Sequence, residues 1–282
     1  MAAASAATGP RLSLAKGNSD ALRVVSAVVL APIPLAAIWF GEPWLALLAA
    51  LAGGVMSWEW SRLCQRGAWT RSGTVLVAVV VAAVAGGAAG GVWPGVAVAV
   101  LGAGLVAGLA RLWREGEAAW LGFGVIWVAV PCILLLWLAR PDNAGRATVL
   151  WLFAVVWATD IGAYAVGRAI GGPRLAPRWS PGKTWAGLVG GTICAGLVGW
   201  AAALAVESVP VVPLVLASAG LAIVEQFGDL AESAAKRRFG VKDSSGLIPG
   251  HGGLLDRLDG LLAVIPAVAL LTLFGGGVLT WR

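Results

Sequence analysis

Acidic and basic side chains recur at helical spacing in one stretch near the C-terminal end of the chain. They are Glu225, Asp229, Glu232 and Lys236, which are separated by four, three and four residues. A helix that continued through this stretch would carry all four on one face, with Ser233 one turn after Asp229. Carboxylates and a lysine in this arrangement could hold a divalent cation together with an anionic ligand.

A glycine-rich turn follows this stretch and leads to two further carboxylates. Residues 249–253 read Pro-Gly-His-Gly-Gly and include His251, the only histidine in the sequence. Asp256 and Asp259 come next, three residues apart. A sharp turn would return the chain antiparallel and bring Asp256 back toward Asp229. Basic side chains accompany both acids: Lys236, Arg237, Lys242 and Arg257.

Acids and bases around a glycine-rich turn are typical of a site for a polyphosphate that carries Mg²⁺. Mg²⁺ prefers hard oxygen ligands, usually one or two carboxylates completed by phosphates and water. Lysine and arginine neutralise the remaining phosphate charge, and glycine lets the backbone approach the phosphates closely. The alternative is a solvated loop with ordinary surface ion pairs. Six of the fourteen acids lie between Glu225 and Asp259, which favours the binding site.

A second polar segment lies upstream and offers further candidate residues. Asp160 is placed in an apolar run, and an ionisable residue in lipid indicates a functional role unless it pairs with a neighbour such as Arg168. Gly-Lys-Thr at residues 182–184 is similar to the end of a P-loop. However, Pro177 stands where that motif requires glycine and no strand is expected before it, so we reject a P-loop.

The rest of the chain has the composition of a membrane protein. Its 282 residues are 59% hydrophobic and only 12% charged, and apolar runs of about 17 to 22 residues recur along the sequence. Roughly 20 apolar residues cross the hydrocarbon core as a helix. The 40 glycines suit close packing of helices in lipid. The predicted fold is therefore all-α, a polytopic integral membrane protein with about nine transmembrane helices.

The apolar runs place the nine predicted spans. They are Leu22–Phe40, Trp44–Trp60, Thr74–Trp93, Gly95–Leu112, Ala119–Ala139, Ala147–Gly167, Trp185–Val206, Pro210–Gly228 and Leu261–Trp281. With the N-terminus in the cytoplasm, seventeen of the twenty Lys and Arg residues fall on the cytoplasmic side. The net charge of +6 follows from this topology and needs no nucleic-acid partner.

The same layout divides the chain into three parts. Residues 1–20 are expected to be a disordered cytoplasmic tail, and residues 21–140 the N-terminal transmembrane helices. Residues 141–282 are expected to be the C-terminal transmembrane domain, with the candidate site residues facing the cytoplasm.

The polar segments together resemble a known family. Residues 233–260, SAAKRRFGVKDSSGLIPGHGGLLDRLDG, are similar to the signature of phosphatidate cytidylyltransferases, also called CDP-diacylglycerol synthases. That signature runs Ser-x-x-Lys-Arg, then Lys-Asp, then Pro-x-His-Gly-Gly-x-x-Asp-Arg-x-Asp. The upstream LAPRWSPGKTWAG at residues 175–187 resembles a second segment of the family. The resemblance covers roughly residues 157–260. Before residue 157 only the hydropathy pattern is similar to that of the family.

The resemblance implies an activity and a set of site residues. The family makes CDP-diacylglycerol and pyrophosphate from CTP and phosphatidate, on a helical membrane fold that is typically a homodimer and depends on Mg²⁺; a second cation is left open. By this resemblance Asp229 and Asp256 would bind the metal. The residues of the nucleotide and catalytic site would be Lys236, Arg237, Lys242, Asp243, His251, Arg257 and Asp259. The substrate-binding residues would be Asp160, Ser180, Lys183, Thr184, Glu232 and Ser233.

Two departures from the family pattern and two rival functions remain. Ala186 stands where the family has glutamate and Gly260 where serine is usual, so one site carboxylate is missing unless Asp160 or Glu225 compensates. His251 is as well suited to holding the loop or a phosphate as to acid–base chemistry. A CTP-dependent lipid kinase would use similar ligands, and a transporter would also place acids within spans. The expected location is the cell (inner or plasma) membrane, with the site facing the cytoplasm.

Overall fold

A computed structural model describes residues 31–141, 145–206, 209–248 and 252–275 of the chain. The predicted cytoplasmic tail, the first residues of the first predicted span and His251 lie outside these residues. The elements in chain order are α1 (Pro32–Phe40), α2 (Trp44–Cys64), α3 (Arg71–Gly90), α4 (Val92–Trp113), α5 (Ala118–Leu138), α6 (Gly145–Ile170), β1 (Arg174–Ala176), β2 (Ser180–Thr184), α7 (Trp185–Ala205), α8 (Val211–Arg238) and α9 (Leu255–Gly275).

Most of the described helices have the length and composition of membrane spans. Seven of them, α3 to α9, are long and apolar enough to cross a bilayer. The helix α2 has 21 residues but carries Glu59 and Arg62 near its end, and α1 is described only from Pro32. The prediction of an all-α, polytopic membrane protein is confirmed.

The boundary between α3 and α4 differs from the predicted one. The division expected at Trp93-Pro94-Gly95 is wrong, because α3 already ends at Gly90. Gly91 takes a φ of 91°, a left-handed conformation that ends a helix easily only at glycine. Pro94 then lies in the first turn of α4. The N–H groups of a first turn have no partner within the helix, so the N–H that proline lacks is not needed there.

The two helices that carry the candidate acids extend beyond their predicted spans. The helix α8 runs to Arg238 rather than Gly228, so it continues through Asp229, Glu232 and Lys236 as the spacing predicts. The helix α9 begins at Leu255, six residues before the expected start of the span, and thus includes Asp256 and Asp259. Both extensions belong to the polar stretch and not to the apolar run.

A short hairpin precedes α7 and was not predicted. The strands β1 and β2 pair antiparallel, with Arg174 opposite Thr184 and Ala176 opposite Ser180. The expectation that no strand lies before the Gly-Lys-Thr segment is therefore wrong. A P-loop is still excluded, because Lys183 lies within a strand of a hairpin and not in a loop between a strand and a helix.

Glycines allow neighbouring helices to approach closely, as expected in lipid. A Cβ atom on Gly95 of α4 would lie 2.8 Å from the Cα of Gly87 in α3. Between α6 and α7, a Cβ on Gly191 would lie 2.9 Å from the carbonyl oxygen of Thr159. Larger residues at these positions would force the helices apart, so small residues set the packing distance.

The ends of alternate helices meet at one end of the bundle. Arg238, at the end of α8, donates from Nη2 to Glu117 Oε2 at 2.8 Å in the α4–α5 connection. Arg237 donates from Nε to the carbonyl oxygen of Trp179 at 3.3 Å in the β1–β2 turn. Glu59, near the end of α2, contacts the α8–α9 connection. The sequence analysis predicts that all of these connections are cytoplasmic. That this end of the bundle faces the cytoplasm stays a prediction.

Candidate active site

A buried lysine joins the two helices that carry the candidate acids. Lys236, in the last turn of α8, forms ion pairs with Glu232 one turn earlier and with Asp256 Oδ1 of α9, the latter at 2.6 Å. The three residues are 9%, 1% and 8% exposed. Because a buried charge is costly without a partner, this cluster of one ammonium and two carboxylates fixes α8 against α9.

Asp256 also organises the connection between α8 and α9. Its Oδ2 accepts hydrogen bonds from the Ser244 N–H at 2.8 Å, the Ser244 hydroxyl at 2.9 Å and the Gly253 N–H at 2.8 Å. An acidic side chain in the first turn of a helix also interacts favourably with the helix dipole. Gly252 has a φ of 87°, which favours glycine, and this conformation closes the turn just before α9.

Glu59 of α2 holds the same connection from the other side and was missed by the sequence analysis. Its Oε1 accepts from the Ser245 hydroxyl at 2.6 Å and the Leu254 N–H at 2.9 Å. Its Oε2 accepts from the Leu255 N–H at 2.6 Å, and the side chain is fully buried. The available signal was an acid inside a predicted apolar span, which indicates a functional or strongly structural role. The N-terminal helices therefore contribute directly to the site.

Lys183 and Asp229 form a second, more accessible pair. The Lys183 Nζ lies 2.6 Å from Asp229 Oδ2, and their side chains are 17% and 26% exposed. Ser233 donates its hydroxyl to Asp229 Oδ1 at 3.2 Å. The strand β2 positions Lys183, and the next residue, Thr184, starts α7 by accepting the Gly187 N–H at 3.0 Å. The Thr184 hydroxyl, expected to bind substrate, is thus buried as a helix cap.

Asp160 and Glu225 meet on the membrane side of this pair. Their side chains are within hydrogen-bonding contact, and Asp160 also interacts electrostatically with Asp229, Lys183 and Arg257. Two carboxylates in contact repel each other unless a proton or a cation lies between them. Glu225 is 2% exposed and receives a further hydrogen bond at 2.6 Å from the neighbouring Gln226 side chain.

The remaining predicted residues surround these pairs at different depths. Asp259 interacts electrostatically with Asp229, Glu232 and Lys236. Its Oδ1 accepts a hydrogen bond from the N–H of the next residue, Gly260, at 2.8 Å. Ser180 is half-buried at the start of β2. Three others are exposed at the polar end, and they are Lys242, Asp243 and Arg257. Arg237 donates from Nη1 to the Val241 carbonyl oxygen at 3.0 Å, so it braces the start of the connection.

The donor chemistry fits Mg²⁺ together with a phosphate ligand. The interacting carboxylates (Asp160, Glu225, Asp229, Glu232, Asp256 and Asp259) outnumber their cationic neighbours Lys183, Lys236 and Arg257. Among the described residues no group of three or more His, Cys, Asp or Glu side chains is arranged to hold a metal by itself. Mg²⁺ usually takes only one or two carboxylates and completes its shell with phosphates and water. Asp229 is more accessible than Asp256, and the oxygens of both carboxylates already accept hydrogen bonds or an ion pair.

Comparison with known proteins identifies the family. A sequence model of the cytidylyltransferase family matches residues 21–274. The chain belongs to the cytidylyltransferase family. A phosphatidate cytidylyltransferase of Brucella suis is 40% identical over 262 residues, which cover 90% of this chain and 92% of that protein. A phosphatidate cytidylyltransferase of Pseudomonas aeruginosa is 36% identical over 265 residues, covering 88% of this chain and 95% of that protein. The predicted resemblance and the prediction of a nucleotidyltransferase are confirmed.

The structure gives a physical reason for one of the two departures from the family pattern. A Cβ atom on Gly260 would lie 2.7 Å from Glu225 Cγ and 3.0 Å from Glu225 Oε1. A serine at position 260 would therefore collide with Glu225, so the glycine makes room for that carboxylate. The other departure, Ala186, lies in the first turn of α7, three residues after Lys183 of β2. Lys183 interacts electrostatically with both Glu225 and Asp160.

Proposed function

We propose that this protein transfers the cytidylyl group of CTP to phosphatidate, giving CDP-diacylglycerol and pyrophosphate for phospholipid synthesis. The observation that carries the proposal is Lys236, buried between carboxylates of α8 and α9 at the polar end of a membrane bundle. Family membership supports a cytidylyl transfer, and the names of the relatives support phosphatidate as the acceptor. The proposed location is the cell (inner or plasma) membrane, with the site facing the cytoplasm where CTP is present.

The reaction needs neutralisation of charge more than it needs a base. A phosphatidate phosphate oxygen attacks the α-phosphorus of CTP, and the bond from that phosphorus to the β-phosphate oxygen breaks to release pyrophosphate. The attacking oxygen is already anionic, so no proton has to be removed from it. The barrier lies in bringing two polyanions together in line, which positioned cations lower.

The basic side chains of the site meet this requirement at two places. Lys183 lies on the hairpin and Lys236 at the end of α8, and each forms an ion pair with a carboxylate in this structure. We propose that both ammonium groups turn from these carboxylates to phosphate oxygens when the nucleotide binds. The exposed Arg237, Lys242 and Arg257 are proposed to hold the leaving pyrophosphate. Phosphatidate reaches this end laterally, with its acyl chains between the spans and its head group at the interface.

The carboxylates supply the ligands for the proposed Mg²⁺. Asp229 would hold the ion, and Asp256 would join it when Lys236 moves its ammonium from Oδ1 to a phosphate. Bound there, Mg²⁺ would neutralise phosphate charge and fix the nucleotide in an in-line orientation. We propose that a second cation would bind between Asp160 and Glu225, where it would replace the proton that two carboxyl groups in contact must otherwise share. In this proposal Glu225 supplies the carboxylate that Ala186 lacks.

The assignment is tested with purified protein, phosphatidate, Mg²⁺ and CTP labelled on either the α- or the γ-phosphorus. Cytidylyl transfer puts the α label in the extracted lipid and the γ label in pyrophosphate. A CTP-dependent lipid kinase would instead put the γ label in the lipid and release CDP. A transporter would move substrate across a vesicle membrane without turning over CTP. Either of these last two results would overturn the proposal.

Two further expectations stay predictions. The family resemblance implies a homodimer, which light scattering of the detergent-solubilised protein checks directly. The role of His251, in acid–base chemistry or in holding the loop or a phosphate, also stays a prediction.

A further inference from the structure

Three exposed arginines lie where α6 ends and the hairpin of β1 and β2 follows. They are Arg168 in the last turn of α6, Arg174 in β1 and Arg178 in the turn between the strands, and together we call them the arginine surface. Residues 161–206 contain these arginines and Lys183 but no aspartate or glutamate. None of the three arginines forms an ion pair with a carboxylate that the structure describes. Their positive charge is therefore available to an anion.

Arg168 is held in place by a neutral partner. Its Nη1 donates to the Tyr164 hydroxyl at 2.9 Å, and its guanidinium carbon lies 5.9 Å from the centre of the Tyr164 ring. The hydroxyl orients the guanidinium group without neutralising it, and it uses only one of the five N–H donors. A side chain that is oriented before binding loses less conformational entropy when it binds a ligand. Arg168 is thus prepared for a ligand with several oxygen acceptors.

The end of α6 packs against the hairpin, which brings Arg168 and Arg174 to the same corner of the bundle. A Cβ atom on Gly167 would lie 3.0 Å from the Thr184 hydroxyl oxygen, so the residue before Arg168 touches the end of β2. Arg174 lies opposite Thr184 in the hairpin and donates from Nη1 to the Gly182 carbonyl oxygen at 3.3 Å. Both arginines are therefore neighbours of the same residue, one through helix packing and the other through strand pairing.

This corner combines positive charge with exposed aromatic and aliphatic side chains. The helix α6 has 26 residues, or about 39 Å, and is longer than the hydrocarbon core of about 30 Å, so its basic last turn extends into the interface. Tyr164 of α6 and Trp185 of α7 are 67% and 54% exposed, and both residue types prefer the membrane interface. One turn deeper in these helices, Ile161 and Val189 are 70% and 56% exposed. An anionic lipid requires such apolar contacts beside cations, whereas a soluble nucleotide does not.

The arginine surface borders the candidate active site along α6. Asp160, Tyr164 and Arg168 are each four residues apart and all three are exposed, so they follow one edge of the helix. Asp160 interacts electrostatically with Lys183 and Asp229 of the site. A phosphate group at Arg168 would therefore lie about two helical turns, roughly 12 Å, from a residue of the site along the same exposed edge.

We propose that the arginine surface binds the phosphate head group of phosphatidate before this lipid reaches Lys183. This inference rests on the proposed function. The head group is a phosphate monoester with about two negative charges at neutral pH, and no further group covers its oxygens. Arginine binds pairs of such oxygens through its planar fork of N–H groups. Phosphodiester lipids carry a smaller charge and an alcohol that covers the phosphate, so the surface favours phosphatidate over them.

The first test measures CDP-lipid formation by the full-length protein in mixed detergent micelles. The mole fraction of phosphatidate is varied at saturating CTP, and CTP is varied at saturating phosphatidate. Arg168→Gln should raise KM for phosphatidate roughly fivefold, the effect of one basic residue near an anionic membrane surface. The triple variant, with Arg174→Gln and Arg178→Gln added, should raise it further. KM for CTP should stay close to that of the wild type in both variants.

Two further variants separate recognition of the head group from a general effect of surface charge. Arg111→Gln removes an exposed arginine from the last turn of α4, on the same predicted side of the membrane, and should leave KM for phosphatidate unchanged. Tyr164→Phe removes only the hydroxyl that orients Arg168 and should raise KM for phosphatidate about twofold or more. Equal effects of Arg111→Gln and Arg168→Gln would overturn the proposed surface, because only the total charge would then matter.

A binding measurement without CTP gives a readout apart from activity. Delipidated protein in detergent is incubated with radiolabelled phosphatidate, and unlabelled phosphatidylglycerol or inorganic phosphate is added as a competitor. We expect the wild-type protein to retain phosphatidate against both competitors and the triple variant to retain much less. Thermal unfolding checks that each variant is folded. Equal displacement by phosphatidylglycerol would show a surface for anionic lipids in general, and displacement by inorganic phosphate would show a site for free phosphate; either result would overturn the proposal.

The outcomes also separate this inference from the proposed function. A wild-type protein that retains phosphatidate through the arginine surface but makes no CDP-lipid contradicts the proposed function and leaves the lipid site standing. A wild-type protein that makes CDP-lipid, with an unchanged KM for phosphatidate in the triple variant, contradicts only the lipid site. A rise in KM for CTP instead of phosphatidate would assign these arginines to the nucleotide phosphates and would also overturn the lipid site.

Discussion

At the scale of single residues, the site depends on carboxylates that lie far apart in the sequence. Glu59 and Ser245 are 186 positions apart and share a hydrogen bond, and Lys236 joins Asp256 across 20 positions. Two buried carboxylates, Glu59 and Asp256, accept hydrogen bonds from the α8–α9 connection and hold it in place. The precision of the site therefore depends on residues that need not touch the substrate, as is common around charged centres.

The first prediction concerns Glu59. In Glu59→Gln a neutral amide replaces the carboxylate that accepts from the Leu254 and Leu255 N–H groups. Loss of buried charge-assisted hydrogen bonds should lower the free energy of unfolding by about 2 kcal/mol. Because the loop also holds Asp256, kcat should fall roughly 10- to 100-fold. Thermal unfolding and CDP-lipid formation measure the two effects, and Glu42→Gln at an exposed position is the matched control.

The second prediction concerns Gly260. A methyl group there would collide with Glu225, and overpacking of this kind costs about 1–3 kcal/mol. Gly260→Ala should therefore be less stable and less active. Gly220→Ala, on α8, meets no atom within 4 Å and should change neither property appreciably. Equal behaviour of the two variants in thermal unfolding would show that Glu225 does not occupy the space beside Gly260.

The sequence predicts the participation of the polar residues better than their individual roles. The spacing of Asp229, Glu232 and Lys236 indicated one helix face, and α8 carries all three. The role of Glu59 could not be predicted, because a single acid in an apolar run does not reveal which loop will reach it. Nor could spacing show that the Thr184 hydroxyl would cap α7, since that depends on how strand β2 meets the helix.

At the scale of elements, the apolar runs predict where the helices lie more accurately than where each helix begins and ends. Runs of hydrophobic residues report the membrane-embedded part, so α8 and α9 extend past it into the polar stretch that forms the site. The hairpin of β1 and β2 escaped prediction because its strands have three and five residues and no alternating pattern. Its pairing depends on the turn that brings Arg174 opposite Thr184.

The third prediction tests the role of the hairpin in starting α7. Thr184→Ala removes the hydroxyl that accepts the Gly187 N–H, and loss of such a cap costs about 1 kcal/mol. The free energy of unfolding should fall by this amount while KM for CTP stays close to that of the wild type. Thr184→Ser retains the hydroxyl and should restore the stability. A large rise in KM with unchanged stability would instead assign the hydroxyl to substrate binding.

At the scale of the whole molecule, the bundle collects its polar connections at one end. The ends of α2, α4 and α8 and the hairpin after α6 contact one another there. This arrangement agrees with the distribution of basic residues, which the positive-inside rule assigns to the cytoplasm. A soluble nucleotide and a membrane lipid can meet only at such a boundary.

The fourth prediction fixes the orientation of the bundle. With nine spans and a cytoplasmic N-terminus, a reporter inserted near Ser245 should be cytoplasmic. A reporter fused after Arg282 should lie on the opposite side, because an odd number of spans separates the two termini. Alkaline phosphatase and green fluorescent protein fusions report the two sides. Reporters found on the same side would contradict the nine-span layout.

The central claim is that the carboxylates of α8 and α9 serve cytidylyl transfer through one site, and paired Asn variants test it most directly. Asp229→Asn keeps size and hydrogen bonding but removes an anionic oxygen at the accessible position. Asp256→Asn does the same beside Lys236 and also weakens the loop.

The measurement is the rate of CDP-lipid formation at limiting Mg²⁺, with thermal unfolding recorded for each variant. Asp229→Asn should lose at least about 100-fold in rate while staying folded, and Asp256→Asn should lose rate and also more of its stability. The double variant should be little slower than either single one, since residues that act as a unit are not additive. Near-normal rates in both single variants, or losses that multiply in the double variant, would contradict the proposed site.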